Sequence, residues 1–345
     1  MKEIKRITIR DVARMAGVSP STVSRVISGN PRISIETTER VIKCMEKMGY
    51  HPNAIARSLA NSSSSTIGLV MPQGPGEALS NPFFPEALSG IIRTSSEMGY
   101  DILLVSHHGD EDGQVNAIKA MINASKVDGI LLMTSRKDDK SIAYLDSVDF
   151  PYSVIGSPDN GQMSFNHADN DNIMAAYELT SYMINKGFRR LVLISGGKEL
   201  TVTRMRIKGF RKALEESGIP FTDDHILVGK FDEETGYNFG KRIYDPVNKI
   251  DGIIATDDVL AFGAATALLE SGLRIPEDVA VSSFNNSVLS RRCNIPITSI
   301  EINPGRLGEE SVKLVIDSIL NGTRGRSVIV PYQLHKRAST EGFTK

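Results

Sequence analysis

Cysteine is scarce in this chain of 345 residues: only Cys44 and Cys293 occur, far apart in the sequence. Two cysteines at that separation provide neither the ligand spacing of a zinc site nor the paired cysteines of a disulfide-stabilised secreted domain. Long apolar runs are also absent, so neither a signal region at the N-terminus nor a membrane span is predicted. These absences favour a cytoplasmic protein without a membrane partner.

Motifs typical of catalysis and cofactor binding are equally scarce. The run Gly196-Gly197-Lys198 lacks the spacing of a phosphate-binding loop, and no nucleophile is paired with a base at a recognisable spacing. His107 and His108 precede an acidic stretch, but adjacent side chains on a strand end point apart, which disfavours a shared metal ion. The sequence therefore predicts no enzyme activity, no cofactor and no metal site.

Charge is unevenly distributed along the chain, although the net charge is only −1. Residues 1–60 contain 11 Lys and Arg against 5 Asp and Glu, a net charge of +6, and the remaining 285 residues carry −7. A chain of this length should form two or three domains. A basic head on an acidic body is typical of a phosphate-binding module attached to a body that does not bind nucleic acid.

The N-terminal stretch predicts two short helices separated by a tight turn, the pattern of a helix-turn-helix. Thr8 can cap the first helix and Asp11 lies in its first turn, where the helix dipole favours a carboxylate. Gly17 can end this helix in a left-handed backbone conformation. Ser19 can cap the second helix, with Pro20 at its first position.

The second helix of this pair leaves a row of polar side chains pointing outward. Its apolar positions, Val23, Val26 and Ile27, form one stripe that can be buried. In a helix-turn-helix the second helix enters the DNA major groove, where hydroxyls bind phosphates or bases and arginine binds guanine. An ordinary helical hairpin in a small core is the alternative. The outward residues are Ser21, Thr22, Ser24 and Arg25.

A third helix is predicted over residues 34–48, with Ser34 as its cap. Its expected buried stripe consists of Val41, Ile42, Met45 and Met48. Beyond it, residues 53–60 could form two helical turns, but an isolated helix that short is unstable in water. We therefore expect this segment to become ordered only on a partner, and a flexible linker with a buried leucine is the alternative.

Short apolar strands alternate with helices from residue 66 onward, in two similar runs. This alternation predicts a doubly wound parallel sheet in each run, and two such units in tandem imply a cleft between them. Three crossings between the units would form a hinge that can close on a ligand. The crossings are expected at Pro151 and residues 157–163, at residues 295–298 and at residues 322–325.

The expected domain boundaries follow from these patterns. The head occupies residues 1–50, a linker residues 51–65, and the core residues 66–345. Within the core, the first subdomain takes about 66–160 and 296–322, and the second about 163–292 and 326–340. A helix over residues 306–320 would thus return to the first subdomain, and a strand over 328–332 to the second.

Polar and aromatic residues follow the predicted strands at their carboxyl ends, where ligands bind in open α/β sheets. Such a set offers apolar faces together with hydrogen-bonding groups, which suits a sugar. Alternatively, the phenylalanines belong to the core, and the Asp and Asn residues cap helices. The residues that follow strands are Ser80 to Phe84, Asp169, Asn170, Phe231, Asp257, Asp258, Asn285 and Asn286, and Arg204 and Arg206 lie at the start of a helix.

The stretch TIRDVARMAGVSPSTVSRVIS, which begins at Thr8, resembles the DNA-binding head of the LacI/GalR family of bacterial transcriptional regulators. The resemblance extends over essentially the whole chain and includes a likeness to maltose-operon repressors. It implies a multidomain protein with an all-α helix-turn-helix head and an α/β core of two subdomains, like the periplasmic sugar-binding proteins. It also implies that residues 53–60 form a hinge helix, which pairs with that of a second subunit in the minor groove while Leu59 wedges between base pairs.

The same resemblance implies two sets of contacts. The DNA contacts are Thr8, Ser19, Pro20, Ser21, Thr22, Ser24, Arg25, Asn53, Ala56, Arg57 and Leu59. The effector contacts are Phe83, Phe84, Asp169, Arg206, Phe231, Asp257 and Asn285. Many relatives carry Asp where this chain has Asn285. Because an amide donates as well as accepts hydrogen bonds, the resemblance alone does not identify the ligand of this chain.

These features predict a homodimeric repressor that reads a pseudo-palindromic operator in double-stranded DNA and that a small carbohydrate controls allosterically. Maltose or a related α-glucoside is the effector that the resemblance favours. Two alternatives remain open at this stage. The ligand could act as a corepressor that promotes DNA binding, or the chain could be a soluble sugar-binding protein without a DNA role.

Overall fold

The structure is a computed structural model, and it describes residues 7–28, 30–50, 63–72, 75–105, 111–159, 165–243 and 250–342. The chain divides into two compact units, Met1–Ser65 and Thr66–Lys345. None of the described helices is long and apolar enough to cross a membrane. Within the same described ranges, no group of three or more His, Cys, Asp or Glu residues is placed to hold a metal ion.

Three helices form the described part of the first unit: α1 (Ile9–Ala16), α2 (Pro20–Ile27) and α3 (Ile35–Met48). The predicted caps are confirmed. The Asp11 carboxylate accepts hydrogen bonds from the main-chain N–H and the hydroxyl of Thr8, at 3.0 and 2.7 Å. Gly17 ends α1 with a φ of 66°. The hydroxyl of Ser19 accepts the N–H of Thr22 at 3.1 Å, so α2 begins where the sequence predicts.

A small apolar core joins these three helices. It contains Val12, Ala13, Ala16, Val23, Val26 and Val41. The expected stripe of α3 is wrong at Ile42, which is 44% exposed, and Cys44 packs against the core instead. The reason is helical geometry, because Val41, Cys44, Met45 and Met48 follow the i, i+3, i+4, i+7 spacing and Ile42 lies beside that line.

The second unit contains two six-stranded sheets, and helices pack against both sheets. Its strands are β1 (Thr66–Val70), β2 (Asp101–Val105), β3 (Gly129–Leu132), β4 (Tyr152–Ile155), β5 (His167–Asp169), β6 (Leu191–Ser195), β7 (Ile226–Val228), β8 (Gly252–Ala255), β9 (Ala280–Phe284), β10 (Thr298–Glu301), β11 (Ser327–Ile329) and β12 (Gln333–His335). The first sheet has the order β11-β5-β4-β3-β1-β2, and all of its pairs are parallel. The second has the order β12-β10-β9-β8-β6-β7, and only β12 runs antiparallel.

The helices of this unit cover the apolar faces of the sheets. They are α4 (Pro75–Ser80), α5 (Phe83–Glu97), α6 (Glu111–Asn123), α7 (Lys140–Ser147), α8 (Asn172–Asn185), α9 (Thr201–Glu216), α10 (Glu233–Ile243), α11 (Asp258–Glu270), α12 (Val288–Arg292) and α13 (Pro304–Asn321). On the first sheet α5 packs closely against α13, and a side chain at Gly90 would overlap the main chain of Gly305. As expected, α13 returns to the first subdomain.

The three crossings between the subdomains lie at positions that differ from the expected ones. The first lies at Asn170 and Asp171, because the short strand β5 still pairs with β4 in the first sheet. The second follows β10, which pairs with β9 in the second sheet, so residues 298–301 were wrongly placed in the first subdomain. The third lies between β11 and β12, because β11 pairs with β5 rather than joining the second sheet. Strands of three or four residues carry too little pattern to reveal which sheet they join.

Candidate functional site

The start of α2 carries the exposed polar surface that the sequence predicts. The hydroxyl of Ser19 lies 2.8 Å from the hydroxyls of both Ser21 and Thr22, which holds this first turn in one arrangement. Ser21, Ser24 and Arg25 are exposed, whereas Thr22 is half-buried against the turn. The surface therefore offers hydroxyl groups and a guanidinium group on one side of a short helix, a combination that can bind phosphates and base edges.

The other predicted DNA contacts fall into two groups. Thr8, Ser19 and Pro20 are exposed at the starts of α1 and α2. Asn53, Ala56, Arg57 and Leu59 lie outside the described residues, as does the whole predicted hinge helix over residues 53–60.

All seven residues predicted to contact an effector line a single cavity in the second unit. The cavity has a volume of about 180 Å³ and lies between the two subdomains. Its wall consists of strand ends, the loops that follow them and the first turns of neighbouring helices, a position expected for a ligand site in an open α/β sheet. The seven residues are Phe83, Phe84, Asp169, Arg206, Phe231, Asp257 and Asn285.

Three aromatic side chains form the apolar part of the wall. Phe83 and Phe84 begin α5 and pack edge to face, with ring centroids 5.1 Å apart. Phe83 contacts the hydrophobic cores of both subdomains, so it bridges the cleft. Phe231 lies over Gly196, where any side chain would overlap the aromatic ring. Gly196, which has no role in a phosphate loop, thus makes room for the third aromatic face.

Arg206 is the buried cation of the cavity, with 4% of its surface exposed. Its Nε donates to the side-chain oxygen of Asn172 at 3.0 Å, one Nη donates to the carbonyl of Thr256 at 2.5 Å, and the guanidinium group lies 4.1 Å above the ring centre of Phe284. Burial lowers the pKa of Arg206 to about 10, and the nearby carboxylates of Asp257 and Asp169 oppose that shift. The side chain therefore remains charged at neutral pH and is held rigidly.

Asp169 lies at the end of β5 and is fully hydrogen-bonded on both oxygens. One oxygen accepts the N–H and the hydroxyl of Ser157, both at 2.8 Å, and the other accepts the N–H of Asn170 and the amide of Asn172, also at 2.8 Å. Burial raises the pKa of Asp169, and these hydrogen bonds counteract the rise. Asn172 thereby connects Asp169 with Arg206, so the two charged residues are positioned by the same amide.

Asp257 is shared by both walls of the cleft. Its Oδ1 caps α11 by accepting the N–H of Val259 at 2.8 Å. Its Oδ2 accepts two amides, from Asn81 of the first subdomain at 2.9 Å and from Asn285 of the second at 2.8 Å. Burial raises the pKa of Asp257 to about 6. The helix-cap and ligand-site interpretations of this residue are compatible, since one oxygen caps the helix and the residue also lines the cavity.

A backbone conformation that suits asparagine places the amide of Asn285 beside Asp257. Asn285 and the following Asn286 have φ values of 97° and 50°, which few side chains other than those of Asn and Asp tolerate. The amide of Asn285 can donate to the carboxylate of Asp257, whereas an aspartate there would bring two acidic groups together. The amide at position 285 therefore suits the carboxylate of Asp257 beside it.

A main-chain bridge closes the cleft near the cavity. Residues 135–137 of the first subdomain pair with residues 199–201 of the second. The N–H of Lys137 donates to the carbonyl of Glu199 at 2.9 Å, and the N–H of Thr201 donates to the carbonyl of Ser135 at 3.1 Å. The side chains of Arg204 and Asp159 add an ion pair at 2.5 Å. The described conformation of the core is therefore closed.

Sequence reasoning missed several residues of this site. Asn81 was noted only as part of the segment before the aromatic pair, and Asn172 was not noted at all. Asn81 contacts Asp257, 176 positions away, and Asn172 contacts Arg206, 34 positions away, so the local pattern gives no sign of these cross-chain roles. The arrangement as a whole can bind a compact molecule with apolar faces and several hydroxyl groups, because aromatic rings and fixed donors and acceptors face the same space.

Comparisons with known proteins identify relatives of both units of the chain. A profile of bacterial regulatory proteins of the lacI family matches residues 8–53, and one of the periplasmic binding protein-like domain matches residues 180–340. The HTH-type transcriptional regulator MalR of Streptococcus pneumoniae is 37% identical over 318 residues, which cover 91% of this chain and 94% of that protein.

Solved structures show the same relationship. The structure of a transcriptional regulator LacI from Bacillus cereus is 33% identical, with a TM-score of 0.77, and the match covers 81% of this chain and 99% of that chain. The complex of the transcriptional regulator CelR with cellobiose is 28% identical, with a TM-score of 0.75, over 97% of this chain and 100% of that chain. These relatives are transcriptional regulators rather than enzymes, and this chain belongs to the LacI family of DNA-binding bacterial regulatory proteins.

Proposed function

We propose that this regulator represses a carbohydrate-utilisation operon and that a small sugar bound in the cavity controls its affinity for the operator. The observation that carries the proposal is that seven residues, scattered over some 200 positions of the sequence, line one cavity between the subdomains. Maltose or a related α-glucoside is the proposed effector. The cellobiose in the CelR complex supports a disaccharide, and a solved structure described as a maltose operon transcriptional repressor supports maltose.

The chemistry of the cavity favours a neutral sugar over an anionic ligand. Its buried cation, Arg206, already donates to Asn172 and Thr256 and lies near Asp169 and Asp257. Carboxylate and amide oxygens accept hydrogen bonds from sugar hydroxyls, and the aromatic rings cover the apolar faces of a pyranose. A phosphate or carboxylate group would meet two buried carboxylates in the same space, at a high electrostatic cost.

On the DNA side, two heads are proposed to read the half-sites of a pseudo-palindrome in double-stranded DNA. The excess of positive charge in residues 1–60 and the exposed start of α2 support this role. The hinge helices over residues 53–60 are proposed to bind the minor groove between the half-sites, with Leu59 as the wedge. We expect the protein to act in the cytoplasm, where the operator is.

A second copy of this chain is the proposed partner on the operator. Ile92 on α5 is 51% exposed and Leu104 on β2 is 44% exposed, although both are large aliphatic side chains. Strand β2 is the edge of the first sheet, and α5 packs beside it. Apolar side chains on an edge strand are usually covered by a partner. Ile92→Lys should therefore shift the sedimentation of the protein toward the monomer, and Glu215→Lys, on an exposed helix face elsewhere, should not.

The decisive experiment is an operator titration with and without a panel of sugars. A binding site selected from random DNA by the full-length protein serves as the probe, and maltose, cellobiose, glucose and sucrose are added in turn. We expect maltose to weaken operator binding. Binding that becomes tighter with a sugar would assign a corepressor role, and the absence of salt-dependent DNA binding would contradict the regulatory function itself.

A further inference from the structure

One side chain connects all three crossings between the subdomains. Asn170 lies in the first crossing, directly after β5. Its amide Nδ2 donates to the carbonyl of Ile302 in the second crossing at 3.1 Å and to the carbonyl of Val330 in the third at 2.8 Å. Both partners are carbonyl oxygens, which can only accept, so the group that faces them has to be the NH₂ rather than the oxygen.

The neighbouring contacts tighten the same junction. The N–H of Val330 donates to the carbonyl of Asp169 at 2.8 Å, so the first and third crossings are also joined through the main chain. Asn303 joins the second crossing to the third, with its amide 2.9 Å from the carbonyl of Pro331. Asn303 is exposed and does not line the cavity, whereas Asn170 is 2% exposed and does.

The remaining polar atom of Asn170 is unusual. Its Oδ1 is buried and accepts no hydrogen bond from the residues that the structure describes. A buried acceptor without a donor costs free energy, and a donor that reaches it from the cavity would recover that cost. Asp169 and Asn172, which flank this residue, already belong to the site.

We propose that Asn170 is a positioning residue that couples the ligand to the hinge: a ligand hydroxyl donates to its Oδ1, while its Nδ2 holds the second and third crossings. This inference rests on the proposed function of the cavity as an effector site. Because one planar amide carries both sets of hydrogen bonds, a ligand that orients the oxygen also fixes the direction of the two donors. Occupancy of the cavity thereby selects one relative position of the three crossings, which is the angle between the subdomains.

Two variants of the full-length chain separate the two halves of this role. Asn170→Asp keeps an acceptor for the ligand hydroxyl and removes both donors to the hinge. Asn170→Ala removes the acceptor and the donors together. Asn116→Asp makes the same amide-to-carboxylate change on the exposed face of α6 and serves as the control. Asn303→Gly removes the other hinge amide, and glycine keeps the left-handed conformation at φ 53°.

The first measurement needs no ligand. Spin labels at exposed positions 120 on α6 and 215 on α9, with both native cysteines changed to serine, report the distance between the subdomains. We expect the distance distribution to broaden about twofold in both Asn170 variants, and less in Asn303→Gly, because the hinge loses hydrogen bonds. It should remain unchanged in Asn116→Asp. An unchanged distribution in both Asn170 variants would overturn the hinge role.

The second measurement uses maltose as the probe, by calorimetry on the free protein and by operator titration. For Asn170→Asp we expect maltose affinity within about threefold of the wild type, but a maltose effect on operator affinity reduced at least about fivefold. For Asn170→Ala we expect maltose affinity to fall about tenfold as well, since a hydrogen bond to the ligand is lost. Unchanged maltose affinity in Asn170→Ala would overturn the ligand contact.

The two proposals fail in different ways. If the wild-type protein binds its operator and maltose does not change that binding, the proposed effector is wrong. The distances between the spin labels still test the role of Asn170 in the hinge, because that measurement needs no ligand. A broader distribution together with a full maltose response in Asn170→Asp overturns the coupling, because the amide would then only stabilise the fold.

Discussion

The amide of Asn81 donates to Oδ2 of Asp257 at 2.9 Å, across the cleft and across 176 positions of the sequence. The oxygen of the same amide accepts the N–H of Phe83 at 3.0 Å and so fixes the start of α5. One side chain therefore positions the aromatic pair on one wall of the cavity and contacts the acidic group on the other. The closed cleft depends on this hydrogen bond as well as on the main-chain bridge.

Replacing Asn81 by Ala should weaken the closed form of the core. The buried carboxylate of Asp257 loses one of its two amide donors, so we expect the free energy of unfolding to fall by about 1–3 kcal/mol, as measured by urea denaturation. Asn321→Ala, which removes an exposed amide at the end of α13, should cost less than about 0.5 kcal/mol. Equal effects of the two changes would show that the cross-cleft bond does not matter.

Arg206 is predicted to be essential for the response to the effector. Arg206→Ala leaves Asp169 and Asp257 without their buried cation, so we expect a stability loss of about 3–5 kcal/mol and no response to sugar. Arg206→Lys keeps the charge but cannot reproduce the forked contacts with Asn172 and Thr256. Operator binding without sugar should persist in Arg206→Lys, as an electrophoretic mobility assay would show. A full sugar response in that variant would show that the guanidinium group is not needed for effector binding.

The raised pKa of Asp257 predicts a defined pH dependence of stability. The native carboxyl has a pKa of about 6, against an ordinary value of 3.8, so between these pH values the folded state binds a proton that the unfolded state does not. Stability should therefore fall as the pH rises from about 4 to 6, and the full penalty of roughly 2–3 kcal/mol should persist above pH 6. Asp257→Asn lacks this contribution. The unfolding free energy of the wild type minus that of the variant should decrease over this range, and a constant difference would contradict the raised pKa.

Asn285→Asp should disturb the same carboxylate from the other side. The new acidic group would replace the amide that donates to Asp257 at 2.8 Å. Two carboxyl groups so close cannot both ionise, so the pKa of Asp257 should rise further, and the variant should be about 1–3 kcal/mol less stable at pH 7. We expect the loss to be smaller at pH 5, in thermal melts at both pH values. Asn116→Asp, on an exposed helix, should show neither effect.

Arg25 and Leu59 are predicted to contribute differently to DNA binding. If Arg25 contacts phosphate, Arg25→Ala should weaken binding to all sequences and lower the slope of log K against log salt by about 1. Leu59→Ala should weaken binding to the selected operator and leave binding to random DNA and to the effector unchanged. Arg274→Ala, an exposed arginine in the second subdomain, provides the control. An unchanged operator affinity in Leu59→Ala would rule out the wedge.

Local sequence features determined the head and the alternation of the core. The caps at Thr8 and Ser19 and the turn at Gly17 depend on residues within four positions of each other, so they can be read from the chain. Apolar strands such as Leu191–Ser195 are equally visible, because burial on both faces requires a continuous apolar run. The seven cavity residues were found partly from strand ends and partly from resemblance to a family, since position after a strand does not by itself separate a ligand contact from a helix cap.

Only the tertiary structure decided how the two subdomains are joined. The sheet to which β5, β10 or β11 belongs depends on which edge is available when the chain packs, and strands of three or four residues contain no pattern that specifies it. The cross-cleft bond of Asn81 and the hinge contacts of Asn170 arise in the same way, because their partners are more than 130 positions away. Hydrogen bonds between such distant residues depend on packing geometry, which residue type and local spacing do not record.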